Sequence, residues 1–88
     1  MEDISVKICA FIYEEWMLKE KSQRSFAKKF LIDESVARKM KKVALSRGTI
    51  SYDIPLSTIQ HICTAKSISF VAFFRLIESY QSKGGSKG

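Results

Sequence analysis

Histidine occurs once in this 88-residue sequence, cysteine twice and glycine four times. With His61 alone, general acid–base chemistry lacks its usual residue, and the carboxylates do not replace it. Several are chain neighbours, such as Glu14–Glu15 and Asp33–Glu34. Adjacent residues of a helix point about 100° apart, so such pairs do not converge on one substrate atom. His61, flanked by Ile59, Ile62 and Cys63, reads as structural or merely exposed. Cys9 and Cys63 form no C-x-x-C pair and cannot complete a zinc set with one histidine. They are expected as buried free thiols behaving as small apolar residues, and they suggest a reducing cytosol. No glycine-rich phosphate loop or nucleophile elbow is present. Nowhere do roughly eighteen apolar residues run together, which excludes a helical membrane span. The acidic start, MEDIS, does not read as a signal peptide, and Lys7 and Glu14 interrupt the apolar run that follows it. The expectation is a cytoplasmic non-enzyme with no metal and no cofactor.

What is present is a small core and an uneven charge. At 45% hydrophobic and 27% charged, the chain suits one small globular domain. Its formal net charge is +6. Residues 21–47 hold nine of the fifteen basic residues against Asp33 and Glu34, a net +7. The six basic and seven acidic residues elsewhere give −1. A local positive excess is the footprint of a nucleic-acid contact, although lysine runs also serve as solvated faces.

Apolar spacing points to an all-α chain of five helices. Ile4, Ile8, Phe11, Ile12 and Trp16 recur every three or four residues and predict a first helix of roughly sixteen residues ending near Lys21. Ser22 is a fitting N-cap for a second helix carrying Phe26, Ala27 and Phe30. Leu31 and Ile32 make a turn, and Asp33 caps a third helix with Ala37, Met40 and Ala44 on its inner side. That helix is expected to fray around Ser46 and stop at Gly48 in the left-handed conformation. Pro55 suits the first turn of a fourth helix, with Leu56, Ile59, Ile62 and Cys63 inward. Ser67 or Ser69 caps a fifth, with Phe70, Phe73, Phe74 and Ile77 apolar. Residues 1–80 then form one domain, and residues 81–88 (QSKGGSKG) a disordered tail.

The third helix has the side chains that a reading helix needs. A DNA major groove is about 12 Å wide and admits one α-helix. Arg38 can pair bidentately with guanine O6 and N7, and Ser35 is adaptable. Glu34 can accept from cytosine N4, orient Arg38 through an i, i+4 pair, or stand solvated in the first turn. Lys39 and Lys42 suit phosphates. Gln23 and Arg24 would reinforce a phosphate received at the start of the second helix.

Residues 23–42, QRSFAKKFLIDESVARKMKK, resemble the helix-turn-helix of the Cro/repressor-type, lambda-repressor-like family. Gln23 stands at the first motif position and Ala27 at the fifth, where the two helices cross. Phe26, Phe30, Ile32, Ala37 and Met40 fill the family's apolar places. Residues 54–74, ending Ile-Ser-x-x-x-Phe-Phe, are similar to its fourth and fifth helices. Two features depart from the pattern. Leu31 stands where the family commonly has glycine, because the backbone there tends to φ > 0, and the link over residues 43–53 is long. That link either extends the third helix or forms an arm along the DNA. The resemblance implies a compact five-helix, sequence-specific DNA-binding transcriptional regulator, a repressor acting by operator occupancy. Gln23, Arg24, Glu34, Ser35, Arg38, Lys39 and Lys42 would be its double-stranded DNA contacts.

The last helix offers more apolar surface than one small helix needs. A weak homodimer through Phe70, Phe73, Phe74 and Ile77, rimmed by Tyr13 and Tyr80, is expected alongside the core reading of the same residues. The alternative function is a protein-interaction module such as an antitoxin, because fold does not fix function. A membrane-surface role is disfavoured by Glu14, Glu15 and Glu20 on the first helix.

Overall fold

A computed structural model describes residues 4–50 and 52–80, and the expected tail lies outside these. Five α-helices follow in order: α1 (Ile4–Ile12), α2 (Gln23–Lys29), α3 (Glu34–Ser46), α4 (Leu56–Lys66) and α5 (Phe70–Ser79). A π-helical turn, Tyr13–Met17, continues α1. No strand occurs among the described residues. The Cα radius of gyration is 12.1 Å, which matches the roughly 12 Å of a compact chain this long.

The first helix is therefore not the uniform sixteen-residue helix that its spacing predicts. In the π turn the Leu18 N–H donates to the Tyr13 carbonyl at 3.0 Å, five residues back. The extra residue delays the register by one position. Trp16 and Met17 then both reach the core, Met17 fully and Trp16 against the Phe30 ring. Ile4, expected on the inner stripe, is exposed.

The turn between α2 and α3 is set by hydrogen bonds that end α2. The Ile32 N–H donates to Ala27 O at 3.0 Å and the Leu31 N–H to Lys28 O at 3.3 Å. This two-bond pattern needs one left-handed residue after the helix. Leu31 supplies it at φ 59° in spite of its side chain. The turn is thus formed with leucine where glycine is the easier residue. Ser67 at φ 59° ends α4 by the same pattern, through the Ser67 and Ile68 N–H groups.

The caps divide. Ser22 Oγ accepts from the Ser25 N–H at 3.1 Å, and Ser69 Oγ accepts from the Ala72 N–H at 3.0 Å. Asp33 precedes α3 as expected but makes no side-chain cap bond. Pro55 is the residue before α4 and not within its first turn. At the far end of α3 the left-handed residue is Arg47, φ 55°, one place before the expected Gly48, which follows at φ 90°. Ser46 Oγ donates to Val43 O and accepts from the Ile50 N–H, tying the helix end to the next turn. The long link thus extends α3 through Ser46, and residues 47–50 and 52–55 have no helix or strand.

One core joins all five helices. Phe11, Phe26, Phe30 and Phe73 are buried in it with Ile12, Met40, Ile62 and Ile77. The Phe26 and Phe30 rings stack at 4.5 Å, and Phe11 meets Trp16 edge-on at 5.0 Å. Two inner-face expectations and one rim expectation change. On α3 it is Val43 that is fully buried, with Ala44 half-buried. On α4 Leu56 is exposed, and Thr58 is buried instead. Tyr80, expected as a rim, is buried, and its hydroxyl donates to the Glu14 carboxylate. That bond pins the end of α5 to the first helix. Cys9 and Cys63 are both buried, as expected. No helix of the described residues is long and apolar enough to cross a membrane.

Candidate nucleic-acid interface

α3 is amphipathic in a way that fixes what it can present. Ala37, Met40 and Val43 face the core. Ser35, Arg38, Lys39 and Lys42, spaced i, i+3, i+4, i+7, share the other side and are exposed. At thirteen residues the helix is about 20 Å long. α2 packs beneath it through Phe26 and Ala27. The N-terminal ends of the two helices meet where the Gln23 amide stands 3.4 Å from Glu34.

All seven expected contact residues are thereby placed. Arg24, Ser35, Arg38, Lys39 and Lys42 are exposed, while Gln23 and Glu34 are half-buried. Glu34 lies within ion-pair range of two guanidinium groups. Its carboxylate lies 3.9 Å from Arg38 Nη2 and 3.8 Å from Arg24 Nε. At the start of α2 the Ser22 cap already occupies the Ser25 N–H, which leaves fewer free donors for a phosphate than the sequence suggests.

The positive segment divides in space. Lys29 pairs with Glu20 at 3.0 Å and lines a hollow with Trp16, Lys19 and Lys66, where Lys66 Nζ sits 5.0 Å from the Trp16 ring centre. Lys41 is half-buried beside Tyr13 and Gln23, and Arg47 lines a pocket with Val6 and Glu14. Arg24, Lys28, Arg38, Lys39 and Lys42 stay exposed on the two helices.

Sequence reasoning missed Tyr52. Lys39 Nζ lies 5.5 Å from its ring centre. Tyr52 is half-buried against the core, and this burial, with Cys9 nearby, pushes its hydroxyl above the usual phenol range. An aromatic residue in the polar stretch RGTISYD was the available signal.

The expected dimer residues separate into two sets. Phe73 and Ile77 are buried in the core of this chain. Phe70, 44% exposed, and Phe74, 36% exposed, remain outside. With Ile4, Val71 and Arg75 they line a groove of about 520 Å³ between α1 and α5. His61 is exposed, and no group of three or more possible metal ligands occurs among the described residues. Comparison with known proteins finds no matching family model, no matching characterised protein and no matching solved structure.

Proposed function

We propose that this chain is a sequence-specific DNA-binding regulator of lambda-repressor-like architecture, a repressor acting by occupancy, with α2 and α3 as its helix-turn-helix. One observation carries the reading: Ser35, Arg38, Lys39 and Lys42 form a single exposed stripe on a helix whose opposite side is locked into the core. Such a helix enters the major groove with its polar side forward. Arg38 reads guanine, Ser35 touches a neighbouring base edge, and Lys39, Lys42 and Arg24 neutralise phosphates.

Selection of bound duplexes from a random pool at two salt concentrations tests this. An enriched motif is expected, with affinity falling as salt rises. Three phosphate-facing cations per subunit give a log–log slope of about −3. Arg38→Ala removes preference at one base position, about 1–3 kcal/mol, whereas Lys42→Ala weakens all sequences alike. A pool without an enriched motif, or an Arg38→Ala variant with unchanged preference, ends the proposal.

A second reading, a protein-interaction module such as an antitoxin, is favoured by the exposed groove of Ile4, Phe70, Val71 and Phe74. A stoichiometric partner lost on Phe74→Ser, with DNA binding intact, distinguishes it. The same exposed residues also fit a weak homodimer on DNA. Sedimentation with and without a duplex carrying two half-sites measures that directly.

A further inference from the structure

Three donors on two helices converge on one carboxylate. The Gln23 amide is 3.4 Å from Glu34 Oε2, and Arg38 Nη2 is 3.9 Å from the same atom. Arg24 Nε is 3.8 Å from Oε1. The two guanidinium contacts lie beyond hydrogen-bond length, so they act as charge attraction across a short gap. The Glu34 side chain is only 39% exposed, so it is less screened than a free surface carboxylate.

A phosphodiester has the same charge as this carboxylate and the same pair of acceptor oxygens. Whatever attracts Arg24 and Arg38 to Glu34 would attract them to a DNA backbone. We infer that Glu34 is a specificity-determining residue, an internal anion that competes with phosphate for Arg24 and Arg38 and so suppresses binding to DNA of arbitrary sequence. This rests on the DNA-binding reading and sharpens it.

The physical sequence is short. Non-specific affinity comes from cations releasing counterions at phosphates. Of the exposed cations on α2 and α3, Glu34 engages two, Arg24 and Arg38. On arbitrary DNA those two must leave the carboxylate, which is then repelled by the backbone. At a fitting site Arg38 gains guanine O6 and N7, and the freed carboxylate gains the N4 amino group of a cytosine. The loss is offset only there. The preferred site therefore carries a G·C pair under Arg38, with a cytosine amino group in reach of Glu34.

Glu34→Gln keeps the shape and removes the charge. Binding of a labelled scrambled duplex and of the selected duplex is followed by anisotropy over a salt series, for wild type and variant. Affinity for the scrambled duplex is expected to rise about two- to tenfold, with a slope steeper by up to about two. The ratio between selected and scrambled DNA falls. A residue that only supports the fold would instead weaken both duplexes together and leave the slope alone. Arg24→Gln supplies an independent arm: it should weaken scrambled-DNA binding more in the Glu34→Gln background than in wild type. Unchanged slope and unchanged ratio, with wild type still binding its selected duplex, overturn the role of Glu34. Binding of neither duplex by wild type or variant at low salt overturns the DNA-binding reading itself.

Discussion

Lys39 holds its ammonium 5.5 Å from the centre of the Tyr52 ring, joining the outward side of α3 to the chain that follows it. Tyr52 is half-buried and packs against the core. At a partly exposed site such an attraction is worth about 0.5–1 kcal/mol. Tyr52→Leu retains apolar bulk and removes the ring's negative face. In a urea double-mutant cycle, Lys39→Ala should cost about 0.5–1 kcal/mol more in wild type than in the Tyr52→Leu background. A coupling of zero would mean that the ring does not hold the lysine.

Leu31 carries strain that glycine would relieve. Its φ is 59°, and its side chain is 65% exposed, so little packing compensates. A left-handed residue with a Cβ costs about 1–2 kcal/mol, while glycine costs about 0.5–1 kcal/mol through the unfolded chain. Leu31→Gly should therefore stabilise the protein by about 0.5 kcal/mol and raise Tm by roughly 2–4 °C. A fall in Tm would show that the exposed leucine makes a contact worth more than the strain.

Much of this architecture was legible, because several signals coincide within single segments. Ser22, then Gln23, then Phe26, Ala27 and Phe30 specify start, face and length together. For α5 the sequence offers Ser67 or Ser69, and the structure uses Ser69. The π turn was not legible, since a hydrogen bond five residues back leaves no mark in composition. Nor was the division of α5. Phe70, Phe73, Phe74 and Ile77 satisfy one helical stripe, yet that stripe is wider than the seam that α1 and α4 can cover. Only the packing decides that Phe73 and Ile77 enter while Phe70 and Phe74 stay out. At the candidate site, the i, i+4 relation of Glu34 to Arg38 was readable from spacing. The approach of Gln23 and Arg24 to the same carboxylate was not, because it depends on how α2 and α3 cross.

The caps rank the helix starts. Ser22 and Ser69 each accept a backbone N–H, and replacing either by alanine should cost about 1 kcal/mol. Asp33 makes no such bond, so Asp33→Ala loses only its charge at the helix start, a few tenths of a kcal/mol. Chemical denaturation of the three single variants measures the order. An Asp33→Ala loss equal to the serine losses would mean that the carboxylate caps α3 in solution.

Cys63 and Tyr52 are expected to make stability fall at alkaline pH. Burial pushes the Cys63 thiol above its ordinary value of 9.0, and burial, then Cys9, pushes the Tyr52 hydroxyl above 10.0. In both cases the folded state favours the neutral form. Once pH passes the ordinary value, the unfolded chain releases a proton that the folded chain keeps, which favours unfolding. The contribution is therefore fully present below pH 9, is lost first at Cys63 as pH rises past 9.0, and is lost at Tyr52 past 10.0. Thermal unfolding between pH 7 and pH 10 should show a decline in Tm that begins near pH 9. Cys63→Ala removes the ionisable thiol and should flatten the first part of that decline, while lowering Tm at every pH through lost packing. If the variant and wild type run parallel from pH 8 to pH 10, thiol ionisation does not govern alkaline unfolding.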